Sequence, residues 1–406
     1  MSAIALFIVL LTLAYTGSVA AGGRSIRGFG LPSGAEYVVL GFALGPGALG
    51  VIEQSTMKLF EPLAVVGLAW LALVVGVDYG YVDGRRVRAG RVGLGALAAT
   101  SAGLAGAGAA YAVGLRLTEL RGAALAVLVI GAGAVTSETT RHAVRWVIER
   151  RGASGPLSTL FADLSDSGDA VPILALALLF AVAGPTEPTA LFGPAALTVV
   201  GLVVGALLGA IAALLLRREH EAREAWGVLL GTALLAIGSA ARFGMPALPT
   251  AFIMGVTLSA LSRHGAELRR MLGGTERSVL LPMLLIAGAS VNLHASKALI
   301  PLVGAAVAAR VLVKLAMGAV LRRSMGPASG ASRLLGLGSL PAGPLTMCVG
   351  LAIQLRFPGE AGDTALVLAA AVTLIGELFG PTALERELAR AGEVGAATQT
   401  ETETVT

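Results

Sequence analysis

Charged, aromatic and sulfhydryl side chains are all scarce in this sequence. Only 14% of the 406 residues are charged and only 5% are aromatic, whereas 55% are hydrophobic. A soluble core could not bury that much apolar surface, so a soluble globular fold is excluded. The one cysteine, Cys348, leaves no possibility of a disulfide framework within the chain or of a thiolate metal site.

Catalytic motifs are missing as well. The four histidines fall in separate short loops or helix ends and form no HExxH or similar ligand pair: they are His142, His220, His264 and His294. No Ser/His arrangement, paired catalytic Asp or metal motif occurs at a spacing that suits catalysis. We therefore expect neither an enzyme nor a bound cofactor.

Long apolar runs are what the sequence has in abundance. Most of them approach the roughly 20 residues that a bilayer crossing needs, so the sequence predicts an all-α membrane protein with about thirteen transmembrane helices. The second, ninth and tenth segments are short, and we expect them to be tilted or partly interfacial. The thirteen segments are residues 2–21, 34–50, 59–78, 92–114, 122–140, 157–183, 190–216, 225–241, 247–262, 278–293, 298–321, 333–355 and 364–384.

The cations alternate between loops. Loops after odd-numbered segments, together with the tail, contain 22 Lys and Arg residues, and loops after even-numbered segments contain six. Because positively charged loops stay in the cytoplasm, this places the N-terminus outside a plasma membrane and the tail inside. It also explains the basic pI without a nucleic-acid partner. The first segment is either retained or removed as a signal peptide, since Ser18-Val19-Ala20 resembles a cleavage site.

Two of the predicted segments contain ionisable residues that are closely spaced. Asp163, Asp166 and Asp169 are three residues apart in the sixth, and Arg310 and Lys314 are one helical turn apart in the eleventh. Such groups are costly in hydrocarbon, so their default interpretation is an ion or proton site with the cations as counter-charges. The alternatives are a structural ion pair and, for Lys314, a side chain that reaches the inner surface.

Two segments contain runs that disfavour a continuous helix, in the fifth from Gly131 to Thr140 and in the twelfth from Gly336 to Pro344. The runs are seven segments apart, and an odd offset gives the two halves opposite orientations. We predict an inverted repeat of segments 1–6 and 8–13, with broken helices 5 and 12 crossing near the midplane. The alternative is that Gly and Pro are simply common in membrane helices. The predicted break residues are Gly131, Gly133, Gly338, Pro341, Gly343 and Pro344.

Several short runs, in this order and spacing, resemble one family: Leu40–Pro46 (LGFALGP), Leu71–Asp78 (LALVVGVD), Gly168–Leu174 (GDAVPIL), Ala247–Gly255 and Lys314. Over almost its whole length the chain resembles the monovalent cation:proton antiporters, particularly the Kef/Nap-type second branch with its Na+/H+ exchanger domain. It departs from the family pattern at Gly168, where the first acid of the central pair usually stands, at Ser137-Glu138, and at Pro344.

The resemblance implies alternating access, within a homodimer. A core of about residues 92–183 and 298–384 moves against a panel of about 1–78 and 225–293, with a linker helix at 190–216. These parts make up a transmembrane domain of residues 1–386, and the polar residues 387–406 are expected to form a disordered cytoplasmic tail.

A midplane carboxylate holds either a proton or a dehydrated alkali cation, because either one relieves the cost of the bare charge. Asp169 is the expected site at which Na+ or K+ exchanges for H+. Thr136, Ser137 and freed backbone carbonyls complete the oxygen shell, and Lys314 is the coupling cation.

The remaining acids have two interpretations each. Asp163 and Asp166 either line a cytoplasmic funnel or are entrance acids paired with Arg141 or Arg145. Glu138 either replaces the missing first acid of the pair or caps the inner half-helix. Glu377, in the thirteenth segment, is expected to be a packing or gating residue.

Other classes of function use the same buried charges. One is an ion channel or uniporter, although breaks in two inverted halves favour a gated transporter. A second is a sodium-coupled organic-anion symporter, in which Arg310 binds the carboxylate of the substrate. A third is a noncatalytic subunit.

Overall fold

A computed structural model describes residues 33–82, 84–184, 192–217, 222–263, 265–325 and 332–394, which are almost entirely α-helical. The first predicted segment and the possible cleavage site at residues 18–20 lie outside the described residues. Each of the other twelve predicted segments contains at least one helix.

The helices follow one another with short connections, and one antiparallel hairpin joins the second helix to the third. In chain order the elements are α1 (Glu36–Leu44), α2 (Gln54–Asp78), β1 (Tyr81–Val82), β2 (Arg85–Arg86), α3 (Ala89–Leu117), α4 (Gly122–Ser137), α5 (Arg141–Arg151), α6 (Pro156–Gly168), α7 (Ala170–Ala183), α8 (Pro194–Leu215), α9 (Ala222–Phe243), α10 (Ala247–Leu261), α11 (Gly265–Ala289), α12 (Leu299–Met325), a 3-10 turn (Leu335–Ser339), α13 (Pro344–Arg356) and α14 (Glu360–Arg390).

Eight stretches among the described residues are long and apolar enough to cross a bilayer. Helices α10 and α13 are apolar but shorter. The ninth segment is therefore short, as expected, whereas the tenth is longer than expected because α11 begins at Gly265. These helices confirm the predicted all-α fold.

Glycines allow several of these helices to pack with their backbones in contact. Gly201, Gly205 and Gly209 of α8 form a stripe that lies against α10 at Thr250 and Met254. A Cβ atom at Gly201 would come within 2.8 Å of the Thr250 hydroxyl, and at the other two positions it would overlap the α10 backbone.

The helices pack as two groups. Helices α1, α2, α10 and α11, which we call the panel helices, contact one another, and α8 and α9 lie against α10. Helices α3–α7 and α12–α14, which we call the core helices, form the second group. The groups meet where α13 contacts α2 and α11 and where α7 contacts α10.

Both predicted breaks are present, and they touch each other. Helix α4 ends at Ser137 and α5 begins at Arg141, while the 3-10 turn ends at Ser339 and α13 begins at Pro344. The N–H of Thr140 donates to the carbonyl of Pro341 across a distance of 3.1 Å, which joins the two breaks directly. The crossing of broken helices is thus a feature of the fold.

The residues assigned to the first break are wrong at Gly131 and Gly133. Both lie inside α4, where a Cβ atom at Gly133 would come within 3.0 Å of the carbonyl oxygen of Gly103 on α3. These glycines serve close helix packing, and the chain leaves the helix only after Ser137.

In the second break, Pro341 and Gly343 lie in the non-helical residues, as predicted. Gly338 belongs instead to the 3-10 turn, where a Cβ atom would lie 2.5 Å from the ring of Phe161. Pro344 is the first residue of α13, a position where the missing N–H costs no helical hydrogen bond.

A third interruption was not predicted. The sixth segment divides into α6 and α7 at Asp169, although the backbone of Asp169 keeps right-handed helical dihedral angles, with φ −64° and ψ −23°. Pro172 has no N–H to donate to the carbonyl of Gly168, four residues earlier, so the helical ladder is interrupted beside the acid.

The predicted start of the disordered tail, residue 387, is also wrong. Helix α14 continues to Arg390, and Glu393 then folds back onto the start of α6. The carboxylate of Glu393 accepts hydrogen bonds from the N–H groups of Leu157 and Ser158, at 2.6 and 2.7 Å. The tail from residue 395 lies outside the described part of the chain.

Candidate ion-binding site at the helix breaks

Asp169 lies at the interruption between α6 and α7, and only 4% of its surface is exposed. Its Oδ1 atom has no hydrogen-bond partner among the described residues. Buried polar atoms in folded proteins are nearly always hydrogen-bonded, so this carboxylate oxygen is available to a water molecule or an ion.

Asp169 lines a small cavity where the crossed breaks meet the panel helices α2 and α11. The cavity volume is about 20 Å³, enough for one water molecule or an ion of similar size. The hydroxyl oxygen of Thr140, which also lines the cavity, is likewise without a partner among the described residues. The lining residues are Leu71, Val75, Glu138, Thr140, Arg141, His142, Asp169, Glu276, Leu280, Pro344, Leu345 and Cys348.

Thr136 and Ser137 do not line this cavity. Their hydroxyls donate within α4, to the carbonyls of Ala132 and Ala134, both at 2.7 Å. The Thr136 side chain lies against α3, where it occupies the space left by a glycine at position 106. The geometry therefore does not support the predicted oxygen shell, and Thr140 lies where those hydroxyls were expected.

Glu138 is buried between the two breaks, and its carboxylate caps a helix. Its Oε2 atom accepts hydrogen bonds from the N–H of Thr346 at 2.5 Å, from the N–H of Gly343 at 3.4 Å and from the Thr346 hydroxyl. A carboxylate is favourable at this end of α13, because helix N-termini carry partial positive charge. Capping was one of the two predicted roles, but the capped helix is α13 and not α5.

Arg310 does not pair with the acids of the sixth segment, contrary to the prediction. It is buried, and its guanidinium donates to the carbonyls of Thr136 at 2.6 Å and Leu340 at 3.0 Å. Each carbonyl lies at the end of a broken helix, where no helical N–H reaches it. Arg310 therefore joins the two breaks through their backbone.

Lys314 is a second buried cation that was wrongly expected to face a carboxylate of the sixth segment. Its Nζ atom donates to the carbonyl of Ser339 and the hydroxyl of Thr139, both at 2.5 Å, and to the carbonyl of Glu138 at 3.3 Å. The breaks release carbonyls that need donors, and these two cations supply them.

Asp163 and Asp166 pair with arginines, which is the entrance-acid alternative. Arg145 lies 3.0 Å from Asp166, as that alternative predicted. The partners of Asp163 were not predicted: they are Arg85 of the hairpin at 2.6 Å and Arg91 of α3 at 2.5 Å. We call this side of the molecule the arginine-rich end.

Residues 8–385 match the family described as the transmembrane sodium/hydrogen exchangers. The chain belongs to that family. The exchanger also resembles two structures of the sodium proton antiporter MjNhaP1 from Methanocaldococcus jannaschii. One, at pH 8, has 15% sequence identity and a TM-score of 0.69 and covers 96% of this chain and 99% of that one. The other, from electron microscopy, has 17% identity, a TM-score of 0.63 and 97% coverage of both chains.

No curated protein matches the exchanger in sequence. At these identities the two structures establish the fold, and the family establishes cation/proton antiport by a multi-pass membrane protein. Both the resemblance to the cation:proton antiporters and the inverted-repeat fold are thereby confirmed. The exchanger is a transporter and not an enzyme.

Sequence reasoning missed an ion-pair cluster beside the cavity of the exchanger. Arg141, assigned to a loop, is the buried first residue of α5 and contacts Asp78 at 3.2 Å and Glu276 at 2.6 Å. His142 lies 3.4 Å from the same glutamate. The sequence signals were that Asp78 and Glu276 stand at the ends of apolar segments and that Asp78 ends the family-like run Leu71–Asp78.

A second cavity, with a volume of about 440 Å³, opens at the end of the exchanger that lies opposite the arginine-rich end. Its polar lining includes Lys58, Glu61, Gln354 and Asp363. Along α2 it ends at Ala64, and the Asp169 cavity begins at Leu71, which is roughly 10 Å further on. By helical spacing, the buried Leu68 of α2 and Leu351 of α13 fall on the faces between the cavities.

Glu377 lies apart from the residues that line either cavity. It is buried in α14 and accepts hydrogen bonds from the hydroxyl and the N–H of Ser33, at 2.5 and 3.3 Å. It therefore ties α14 to the residues that precede α1, which is compatible with the packing role expected of it.

Proposed function

We propose that the exchanger moves Na+ or K+ against H+ by alternating access, with Asp169 as the shared cation and proton site. The observation that carries this proposal is the unpartnered Oδ1 of a buried aspartate, at a helix interruption, in a cavity of ion size. A proton and a dehydrated cation each relieve the cost of the bare carboxylate, and they compete for the same oxygens. This competition couples the two fluxes.

In this proposal the cation is bound by oxygen atoms at the breaks. Asp169 supplies the charge, and the Thr140 hydroxyl, which also lacks a partner among the described residues, supplies a second ligand. Alkali cations favour such hard oxygen ligands. Thr136 and Ser137 form the end of α4 beside the site and supply no hydroxyl ligand. The carboxylate of Glu138 offsets the positive charges of Arg310 and Lys314.

Arg310 and Lys314 hold the crossed breaks in place around the site. Their donation to carbonyls of both breaks keeps the two broken helices together while the ion binds and leaves. Their positive charges also offset the buried carboxylate of Glu138. In this proposal Lys314 contributes to the coupling of cation and proton fluxes indirectly, because it holds the two breaks in position around Asp169.

The two groups of helices and the two cavities support the proposal of alternating access. Movement of the core helices against the panel helices would open the Asp169 cavity first to one end and then to the other. The excess of arginines supports a cytoplasmic position for the arginine-rich end, with the N-terminus outside a plasma membrane. The homodimer stays a prediction, and so does the functional division of the chain into panel, linker and core.

The test is cation-induced proton movement in everted membrane vesicles, with Na+, K+ and Li+ compared. We expect Asp169→Asn to abolish the response to every cation that the wild-type exchanger transports. Glu360→Gln makes a similar acid-to-amide change at an exposed position and is expected to retain the response.

Full activity in Asp169→Asn would overturn the proposal. Cation flux that leaves the pH on both sides unchanged would indicate a channel instead.

A further inference from the structure

We infer that Arg141 is the gate at the arginine-rich end: its guanidinium is a tethered cation that joins core to panel and must move aside before an ion reaches Asp169. The inference rests on the proposed function only in taking the Asp169 cavity as the destination of the ion. The contacts of Arg141 are the observations that lead to it.

Arg141 contacts three carboxylates from three different helices. Its Nη1 atom lies 3.2 Å from Asp78 of α2 and 3.8 Å from Asp166 of α6, and its Nη2 atom lies 2.6 Å from Glu276 of α11. A planar guanidinium with five donors suits such a site better than an ammonium group does.

These contacts cross the boundary between the two groups of helices. Arg141 and Asp166 belong to the core, whereas Asp78 and Glu276 belong to the panel. Arg145, one turn further along α5, contacts Asp166 at 3.0 Å, which is a contact within the core. The two arginines therefore form a matched pair, of which Arg141 is the one with ion pairs to the panel.

Arg141 also lies between Asp169 and solvent. It lines the Asp169 cavity together with Glu276. The side chains of Asp78 and Glu276 are 20% and 18% exposed, whereas Asp169 is 4% exposed. Water thus reaches two of the three partners of Arg141, whereas Asp169 beside them is nearly buried.

The charge balance explains how an arriving cation would open this gate. Removing the guanidinium from its partners leaves buried or half-buried carboxylates uncompensated, which is strongly unfavourable. A cation that enters from the arginine-rich end takes over that compensation as Arg141 withdraws. Opening is then favoured by the transported ion itself, and closing restores the ion pairs.

Cys348 provides a reporter for the test. It is the only cysteine in the sequence, it is buried, and it lines the same cavity as Arg141 and Asp169. A charged, membrane-impermeant methanethiosulfonate added to one face of the membrane reacts with it only if the cavity opens to that face.

We expect Arg141→Gln to raise the rate of Cys348 modification from the arginine-rich face by about tenfold or more, the ratio that corresponds to a loss of about 1.4 kcal/mol from the closed state. Modification from the opposite face is expected to stay at the wild-type rate. Arg141→Lys keeps the charge without the fork and is expected to give an intermediate rate. Cys348→Ser in the same background identifies the reacting thiol.

Arg145→Gln is the matched control, and its modification rate is expected to equal that of the wild-type exchanger. An unchanged rate in Arg141→Gln, or an equal increase in Arg145→Gln, would overturn the inference. If Arg141→Gln does not reach the membrane, Glu276→Gln and Asp78→Asn remove its panel partners and are expected to raise the rate in the same way. Because the readout is labelling, it stays informative even if Asp169→Asn transports normally.

Discussion

The two barriers that separate Asp169 from water consist of different kinds of side chain, charged at one end of the exchanger and apolar at the other. At the arginine-rich end the barrier is an ion-pair cluster in which Arg141 joins α5 to Asp78 and Glu276. At the other end it is an apolar layer, roughly 10 Å thick, that includes Leu68 and Leu351. A charged barrier responds to an arriving cation, whereas an apolar barrier opens only when the helices that pack it move apart. The difference indicates that an arriving cation acts directly on the barrier at the arginine-rich end, whereas the barrier at the other end depends on helix packing.

The largest effect is expected from opening the apolar layer. Leu351→Ala should cost about 2–5 kcal/mol of stability, because it leaves a void among buried side chains. It should also speed modification of Cys348 from the opposite face, with no change from the arginine-rich face. Thermal unfolding and face-specific labelling measure the two effects.

Leu312→Ala is the matched control for that experiment, since this leucine of α12 is 66% exposed on the outer surface of the helices. We expect it to change neither the labelling rate nor, appreciably, the stability. If Leu351→Ala opened the arginine-rich face, the distinction between the two barriers would be lost.

An intermediate effect is expected at the crossing of the two helix breaks, which lies between the two barriers. Lys314→Ala leaves the carbonyl of Ser339 without its donor, and the unsatisfied group should cost about 1–3 kcal/mol. Because Lys314 contacts backbone and Thr139 and not Asp169, the cation KM of exchange should change little while the melting temperature falls.

A direct pairing of Lys314 with Asp169, which the sequence predicts, would have the opposite consequence. A counter-charge of Asp169 competes with the transported ion, so its removal would lower the cation KM clearly. A lower cation KM in Lys314→Ala would therefore indicate a direct pairing of Lys314 with Asp169, which the structure does not contain.

The smallest effect is expected at the start of α6, where the carboxylate of Glu393 caps the helix. Glu393→Gln weakens two charge-assisted hydrogen bonds to backbone N–H groups and should lower stability by about 0.5–2 kcal/mol, as the loss of a helix cap does. Glu385→Gln is the control, because the ion pair of Glu385 with Arg151 is half-exposed and such pairs contribute little. Equal losses of thermal stability in the two variants would show that the cap does not anchor α6.

Composition and periodicity were sufficient to predict the fold. The apolar runs, the loop cations and the two Gly/Pro-rich stretches predicted the helices, their inverted repeat and the crossing of breaks. Asp169 stood out because a charge within a long apolar run is costly in hydrocarbon and most often marks a functional site. The interruption beside it could also have been predicted, since Pro172 cannot donate to the carbonyl of Gly168.

The partners of the buried charges could not be predicted in the same way. Arg310 and Lys314 stand one turn apart, and this spacing does not reveal that they face the backbone carbonyls released by the breaks. Arg141 was expected only as a possible partner of Asp163 or Asp166, because its burial and its contacts with the panel helices depend on α5 beginning directly after the first break. Gly131 and Gly133 looked like helix breakers, although glycine serves equally well where two helices touch. In each case long-range packing decides between two local interpretations.

The most direct test of the central claim is proton release from the purified exchanger when a cation binds. The protein in weakly buffered solution with a pH-sensitive dye is titrated with NaCl or KCl, and choline chloride serves as the control salt. The wild-type protein is predicted to release protons with at least one of the two alkali cations, and Asp169→Asn is predicted to release none. Equal release by Asp169→Asn would contradict the assignment of cation and proton to this one carboxylate.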